Sequence, residues 1–415
     1  MRMRGPVVLV VIAIAVGVAC GRSDPADWRV TVQPVSSPAG MNSSEPTLSV
    51  SDRGALLSWI ERAGTTTHLK FSERTSYGWT TPITAASGDD WFLSYADVPS
   101  VIRLSDGTLV AQWLQITDAS IEAYNLILSY SKDEGRTWAP SFMPHHDGTM
   151  TQHGFASFVE MPGTGVGLVW LDGRSSDFNF DDPNAGSMTL RFAAFDANWK
   201  QTADVLVDAR VCECCPTTAV LTSDGVLTGY RDRSENEIRD ISVSRLENGA
   251  WTPATTVHDD NWEIPACPVN GPKLSARGRQ VAAAWFTVKN DQGQAYAAFS
   301  NDAGRSWGAP IRLDEAGSLG RVDVVLLEDG SAAASWVEFA DQRAQLRMRR
   351  IDPSGATSAP ITVAGVEGSR TSGIPRLARR GSELLFAWTE SAPGSSESDP
   401  VFLVRTAVAA IPPAR

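Results

Sequence analysis

Four cysteines and one histidine in the middle of the chain form a pattern that could bind a metal ion. Cys212, Cys214 and Cys215 lie within four consecutive positions, Cys267 follows them and His153 precedes them. Thiolates and imidazoles are ligands that Cu and Zn prefer. The same four thiols could instead form two disulfides in one of three pairings, and a bond between adjacent cysteines would be strained. The sequence therefore predicts either a Cu or Zn site or a disulfide-linked group of loops.

A second set of candidate residues carries charge and lies in two polar loops. The set consists of Asp172, Arg174, Tyr230, Arg231, Asp232, Arg233, Glu237 and Arg239. A guanidinium group matches a carboxylate bidentately, so these loops could bind an anionic ligand. The alternative is a set of ion pairs that only fixes the loops.

The elements that position these loops follow from a long repeat. An aromatic residue recurs seven times, every 51 to 60 residues, and a glycine turn precedes each copy. The seven positions are Trp59, Trp113, Trp170, Tyr230, Trp285, Trp336 and Trp388. A repeat of this length indicates an array of small units, none of which can bury its own apolar face. Alternating apolar residues between glycine-rich turns predict antiparallel strands. Tyr230 stands where the other units have Trp, which favours a packing role for it.

Two turns share the pattern Ser-x-Asp-x-Gly-x-Ser/Thr-Trp. They contain Ser131, Asp133, Gly135 and Trp138, and Ser300, Asp302, Gly304 and Trp307. The carboxylate can accept backbone N–H bonds within such a turn, and glycine supplies a positive φ. These turns resemble the Asp boxes of the sialidase-like β-propeller superfamily, also called BNR proteins. The segment Cys-x-Cys-Cys-Pro is similar to one in exported bacterial proteins labelled as a sialidase family.

The resemblance implies an all-β fold, a β-propeller of four-stranded antiparallel blades. The aromatic count predicts seven blades, with the six of true sialidases as the alternative. Residues 28–33 look like a fourth strand without a unit, so we expect them to pair with the last blade and close the ring. In such a fold the loops after the second and fourth strands share one face, which would carry both sets of candidate residues.

The resemblance also implies a function, namely that the protein recognises or hydrolyses a glycan as an exo-α-sialidase-type glycoside hydrolase or a binding relative. Arginines would hold a substrate carboxylate, Tyr230 and Glu237 would form the nucleophilic pair, and Asp172 or Asp232 would act as acid and base. Sialidases have an aromatic-Arg-Ile-Pro segment before the first blade, where this chain has Ser44-Glu-Pro46. Whether the protein is an enzyme stays open. The alternatives are a cell-envelope metal-binding protein and a non-catalytic interaction scaffold.

Charge and the first residues indicate the partners and the location. The net charge is −12, so the chain lacks the excess of basic residues that is typical of a nucleic-acid-binding protein. Residues 1–20 read as a signal peptide whose end, Gly17-Val-Ala-Cys20, resembles a lipoprotein cleavage site. We expect an exported monomer, lipid-anchored through Cys20 in the bacterial cell envelope or else secreted, that binds a carbohydrate or another anionic ligand. The predicted division is a linker at 21–27, a single propeller domain at 28–410 and a tail at 411–415.

Overall fold

The computed structural model describes residues 28–163, 165–176, 186–315, 317–395 and 400–412. The predicted signal peptide, the predicted linker and Cys20, the predicted site of lipid attachment, lie outside the described residues. In the described part of the chain no helix is long and apolar enough to cross a bilayer.

Seven antiparallel sheets follow one another along the chain, one for each aromatic repeat, and form blades 1 to 7. The first strand and blades 1 to 3 contain β1 (Val32–Val35), β2 (Ser43–Ser51), β3 (Gly54–Ala63), β4 (Thr66–Thr75), β5 (Gly78–Trp79), β6 (Ile83–Gly88), β7 (Ser100–Arg103), β8 (Leu109–Asp118), β9 (Ala123–Ser131), β10 (His153–Met161), β11 (Gly165–Asp172), β12 (Thr189–Phe195) and β13 (Gln201–Asp208). Blades 4 and 5 contain β14 (Thr218–Thr222), β15 (Gly225–Arg231), β16 (Ile241–Glu247), β17 (Ala250–Trp251), β18 (Thr255–Thr256), β19 (Lys273–Arg277), β20 (Gln280–Lys289), β21 (Gln292–Ser300) and β22 (Ile311–Arg312). Blades 6 and 7 contain β23 (Ser318–Leu326), β24 (Ala332–Ala340), β25 (Arg343–Ile351), β26 (Ile361–Gly365), β27 (Arg376–Arg380), β28 (Glu383–Ser391) and β29 (Phe402–Ala410).

These sheets confirm the predicted seven-bladed all-β propeller. Blade 2 is the shortest, with the three strands β7 to β9, and an isolated bridge between Leu128 and Phe142 stands in place of its fourth strand. The helices in the described residues are two single 3-10 turns, Ala119–Ile121 and Arg370–Ser372.

The second strand of each blade is almost continuously apolar, because blades pack face to face around the ring and bury both sides of this strand. Every residue of β11 is buried, and so are the first seven of the ten residues of β3. A strand buried on both faces has no solvent side on which polar residues could alternate.

The repeated aromatic residue lies in the interface between its own blade and the preceding one. A separate apolar cluster fills each of the seven interfaces, and each cluster contains one of the seven aromatics. Trp59, for example, packs with Ala387 and Val404 of blade 7, and Trp285 packs with Leu227 and Val243 of blade 4. The repeat length is therefore the chain length needed to pass from one blade interface to the next.

In five of these aromatic residues the indole N–H or phenol O–H group donates a hydrogen bond to a carboxylate. The donor–acceptor pairs are Trp59 with Glu61 at 3.2 Å, Trp170 with Asp172 at 2.9 Å, Tyr230 with Asp208 at 2.7 Å, Trp285 with Asp260 at 2.7 Å and Trp336 with Glu338 at 2.9 Å. A buried indole N–H or phenol needs such a partner. The tyrosine of blade 4 therefore forms the same kind of hydrogen bond as the tryptophans of blades 1, 3, 5 and 6.

The N-terminal strand closes the ring, as predicted. β1 pairs antiparallel with β29 as the outermost strand of blade 7, in the register Val32 with Ala409 and Val35 with Thr406. The strand begins later than the predicted residue 28, because the side chain of Trp28 is buried among apolar residues of blades 6 and 7 instead of joining the ladder.

The two Ser-x-Asp-x-Gly turns follow the third strands of blades 2 and 5. In the second of them Asp302 accepts hydrogen bonds from Ser300 Oγ at 2.7 Å and from the backbone N–H of Ser306 at 2.9 Å, and Gly304 has a φ of 81°. The first turn repeats these contacts around Asp133 and Gly135. The following Trp138 and Trp307 pack on apolar clusters at the blade interfaces.

Candidate functional site

An open pocket of about 1110 Å³ lies on one face of the ring. Loops that follow second strands, or that lead into a new blade, supply its lining. The lining residues are Phe92, Ser94, Tyr95, Ser120, Ile121, Glu122, Tyr124, Thr149, Met150, Thr151, Gln152, Phe155, Gly173, Arg174, Ser176, Glu213, Cys214, Cys267, Val269 and Arg370. This is the face on which strand order places the irregular loops, and its concave shape is typical of a ligand site.

Aromatic and charged side chains form one wall of the pocket. The ring of Phe92 stacks on Tyr124 with centroids 4.1 Å apart, and Tyr95 lies beside them. The guanidinium of Arg370 lies 5.8 Å above the Tyr95 ring. Arg370 is exposed, and within the described residues no carboxylate pairs with it. This wall offers an apolar surface beside a cation with no counter-charge.

The cysteine group forms another part of the wall. The sulfur atoms of Cys212, Cys214 and Cys215 all lie within 4.8 Å of one another, and those of Cys212 and Cys215 are 3.1 Å apart. Cys212 and Cys215 are buried, whereas Cys214 and Cys267 line the pocket. Burial by itself would raise the pKa of Cys212, but hydrogen bonds from the other two thiols and the charge of Arg239 hold it well below its usual value.

Two loops must pack closely to bring Cys267 to this group. A Cβ at Gly271 would lie 1.8 Å from the carbonyl oxygen of Pro216. Only glycine therefore lets the loop that leads into blade 5 approach the loop that carries the three cysteines. The result is that Cys267 and Cys214 line the same pocket.

The structure divides the predicted metal ligands into two groups. His153 lies away from the sulfurs, in a cluster with His145 and Asp147. Its Nε2 is 3.2 Å from Asp147 Oδ2, and its ring is stacked on that of His145 at 3.8 Å. Arg174 donates to the same Asp147 oxygen at 3.1 Å and forms a bidentate pair with Asp172 at 2.7 Å. Because the positive charge of Arg174 lies beside the shared carboxylate of Asp147, it disfavours the binding of a metal cation at this cluster.

The pKa values in this histidine cluster follow from burial and charge. Burial, followed by the nearby His153, lowers the pKa of His145 to about 4. Burial alone would raise the pKa of Asp172, but the hydrogen bond from Arg174 lowers it below its usual value. Asp172 is thus a partner of Arg174 and Trp170 within the fold, and the acid-base role given to it from the sequence stays a prediction.

The charged loop of blade 4 is a closed network of ion pairs. Arg239 donates to Glu213 at 2.6 Å and to Glu237 at 2.8 Å, and its Nη1 is 3.4 Å from Sγ of Cys212. Arg233 pairs with the same two glutamates. Carboxylates of the protein thus already pair with both guanidinium groups, and the role of these residues in holding a substrate carboxylate stays a prediction.

Arg231 is also engaged within the fold. Its side chain is 1% exposed and donates to the backbone carbonyls of Asn270 at 2.9 Å, Arg239 at 2.6 Å and Phe286 at 2.7 Å. Its guanidinium lies 5.0 Å from the ring of Trp262. Such a group ties the loops of blades 4 and 5 together and cannot reach a ligand.

Tyr230 does not meet Glu237, which corrects the predicted nucleophilic pair. Its side chain is fully buried, its hydroxyl bonds to Asp208 and contacts Ser244 Oγ at 3.2 Å, and burial raises its pKa far above the usual value. Asp232 accepts hydrogen bonds from the backbone N–H of Arg233 and from Ser242 Oγ, and burial raises its pKa to about 6. Of the predicted catalytic residues, only Arg174 lines the pocket.

Sequence reasoning missed one buried acid beside the pocket. Asp97 is 1% exposed and accepts hydrogen bonds from the backbone N–H of Phe155 at 2.6 Å and from the hydroxyl of Tyr124 at 3.3 Å. Burial raises its pKa to about 7. A Cβ at Gly154 would lie 2.0 Å from its Oδ2, so that glycine makes room for it. The only signal in the sequence is one Asp between apolar residues before a strand.

Comparisons with known proteins support the fold. No family model matches the chain and no curated protein matches it. Among solved structures, the chain is similar to the polysaccharide lyase Uly1, with 10% identity over 89% of this chain and 90% of that one and a TM-score of 0.52. It is also similar to the GH93 α-L-arabinofuranosidase of Fusarium graminearum in complex with arabinobiose, with 13% identity, 77% and 94% coverage and a TM-score of 0.50. The endosialidase of phage phi92 matches with 11% identity, 93% and 70% coverage and a TM-score of 0.50. At these identities the likeness establishes the propeller fold alone.

Proposed function

We propose that the protein recognises an acidic carbohydrate in the pocket of about 1110 Å³. The observation that carries the proposal is the exposed guanidinium of Arg370 above the Tyr95 ring, without a carboxylate partner among the described residues. An arginine of this kind binds a carboxylate bidentately. The pyranose ring that bears the carboxylate would contact the aromatic wall of Phe92 and Tyr95.

The chemistry of the pocket favours a sugar over a purely apolar ligand. Hydroxyl groups of a sugar require hydrogen-bonding partners, and the pocket lining includes Glu122, Gln152 and Thr151. The three similar structures bear the names of a polysaccharide lyase, an arabinofuranosidase and an endosialidase. This agreement is an analogy at the level of fold and adds support to the argument from the site. The two Asp-box turns support a common origin with the sialidase-like proteins.

We propose binding, not sialidase-type hydrolysis. The sialidase mechanism needs free arginines and a tyrosine–glutamate pair at one pocket. Here Arg231, Arg233 and Arg239 have internal partners, and Tyr230 bonds to Asp208. The pocket thus keeps the means to hold an acidic sugar without the nucleophile.

The test is a binding screen of the full chain, purified in detergent, against matched acidic and neutral oligosaccharides. We expect retention of carboxylated glycans and weaker retention of their reduced, neutral counterparts. Arg370→Ala should weaken binding of the acidic glycan by about 10-fold or more, because a charge-assisted hydrogen bond contributes about 1.5–3 kcal/mol.

Arg405→Ala serves as the matched control. Arg405 is an arginine of the same blade, pairs with Glu390 at 2.6 Å and does not line the pocket. Its removal should leave glycan affinity unchanged. Equal affinity of Arg370→Ala and wild type, or equal retention of acidic and neutral glycans, would overturn the proposal. Release of reducing ends in the same assay would extend it to catalysis.

We further propose that the protein acts as a monomer on the bacterial cell envelope, held by a lipid on Cys20. The support is the resemblance of residues 17–20 to a lipoprotein cleavage site. Metabolic labelling with a fatty acid should mark the wild type and leave Cys20→Ser unlabelled. Labelling of both proteins, or of neither, contradicts the assignment.

A further inference from the structure

Two buried arginines act on the three clustered sulfurs. Arg231 is 1% exposed, and its three acceptors are neutral backbone carbonyls. Within the described residues the carboxylate that acts on it electrostatically is that of Asp240, which accepts the backbone N–H of Trp262. A cation buried this deeply is strongly destabilising unless its charge is compensated. The side chain of Cys215 is close enough for Arg231 to act on it electrostatically.

A second arginine faces the cluster directly. Nη1 of Arg239 donates to Sγ of Cys212 at 3.4 Å. Arg239 and Arg233 share the two carboxylates of Glu213 and Glu237. Arg239 thus contacts both carboxylates and a sulfur atom, so a negative charge on the sulfur cluster would be stabilised there.

Charge distinguishes the two states open to the thiols. A disulfide between Cys212 and Cys215 is neutral and offers the guanidinium of Arg239 no charged acceptor at sulfur. Three thiolates on a monovalent ion keep a net negative charge. Thiolates bind soft ions such as Cu(I), and burial of two of the three sulfurs protects them from solvent.

We propose that Cys212, Cys214 and Cys215 bind one Cu(I) ion through three thiolates, with Arg239 and Arg231 as the compensating cations. Cu(I) is favoured over Zn(II) because a structural zinc site requires four ligands in a tetrahedron. Cys267 is exposed and lies outside the group of three. His153 lies in its own cluster and is not a ligand. This inference does not depend on the carbohydrate proposal.

The test is a titration of the reduced full chain with Cu(I) under anaerobic conditions against a chromophoric Cu(I) chelator. We expect one ion per chain. Cys214→Ser, at the partly exposed ligand, should weaken binding by at least about 100-fold, more than the loss of an outer partner costs. Cys267→Ser should change it less than about 10-fold. Met150→Leu, which removes an exposed thioether of the same pocket, is the control and should bind as the wild type does.

The copper site can also be tested on the wild-type protein, so that the result does not depend on whether a variant folds. X-ray absorption of the copper-loaded protein should give a shell of three sulfurs. A shell that contains nitrogen, or equal effects of Cys267→Ser and Cys214→Ser, overturns the three-thiolate site. So does an intact mass of freshly purified protein that is lower by the four hydrogens of two disulfides, with no copper retained after mild reduction.

Discussion

The hydroxyl of Tyr230 in β15 donates a hydrogen bond of 2.7 Å to Oδ2 of Asp208 at the end of β13, and so joins blade 4 to blade 3. The indole N–H of Trp285 forms the equivalent link from blade 5 to Asp260, also at 2.7 Å. The tyrosine that looks most like a nucleophile in the sequence is thus one of the links between blades.

Tyr230→Phe should lower the free energy of unfolding by about 1–2 kcal/mol, because Asp208 loses its donor inside the blade interface. Ligand affinity at the pocket should stay unchanged. Urea unfolding and a glycan-binding assay on the same preparation check both statements. Tyr77→Phe, at a fully exposed hydroxyl, should change neither. Loss of function with stability intact would return Tyr230 to the list of catalytic residues.

Arg231→Lys should destabilise the protein by more than about 3 kcal/mol, because an ammonium cannot reach all three carbonyls and leaves buried acceptors unsatisfied. Denaturant unfolding measures the effect. Arg53→Lys is the comparison, since Arg53 and Glu134 form a pair about half exposed to solvent. A surface pair of this kind contributes less than about 1 kcal/mol. Similarly small losses of unfolding free energy in both variants would show that the three carbonyl acceptors of Arg231 contribute little to stability.

Asp97→Asn should raise stability at neutral pH and flatten its pH dependence. The folded-state pKa of Asp97, about 7, lies above its ordinary value because of burial, so its protonated form stabilises the fold. That contribution is present below about pH 4 and is lost as the pH rises through 7. Above that pH the variant should exceed the wild type by roughly 4 kcal/mol.

The measurement for Asp97 is urea unfolding of both proteins across this range. The amide can still accept from Phe155, and its NH₂ can donate to Tyr124, so the geometry is kept. Asp259→Asn, at an exposed carboxylate, is the control and should leave the pH profile unchanged. A constant difference between Asp97→Asn and wild type at all pH values would contradict the prediction.

Asp302→Ala should lower the melting temperature at neutral pH, because the turn loses the acceptor for Ser300 and Ser306. Burial by itself would raise the pKa of Asp302, but the hydrogen bonds from Ser306 and Ser300 together lower it to about 2. Because the pKa of Asp302 is lower in the folded state, its ionised carboxylate stabilises the fold at pH values above the unfolded-state pKa near 4. This stabilisation is lost as the pH falls toward 2. Calorimetry should therefore show the gap to wild type shrink in acid. Asp133→Ala should behave alike; an unequal response would show that the two turns differ in role.

The sequence predicted the ring well, because the repeated aromatics record the spacing of blade interfaces. It also predicted the face of the pocket, since strand order assigns the loops. It did not predict what Tyr230 and Arg231 contact. Their partners, Asp208 and the carbonyl of Phe286, come from other blades, and no local pattern encodes that meeting. Likewise Arg370 reaches the pocket from the opposite side of the ring, outside the blades that held the candidate residues.

The pairing of β1 with β29 sets the order in which the fold can be completed. The hydrogen bond from Thr406 Oγ1 to the carbonyl of Val35 joins residues 371 positions apart. Blades 1 to 6 can form one after another as the chain emerges, but β1 keeps a bare edge until β29 arrives. A contact this distant in sequence forms slowly, so the unfinished ring is the stage at which the chain is most exposed to misassociation with other strands.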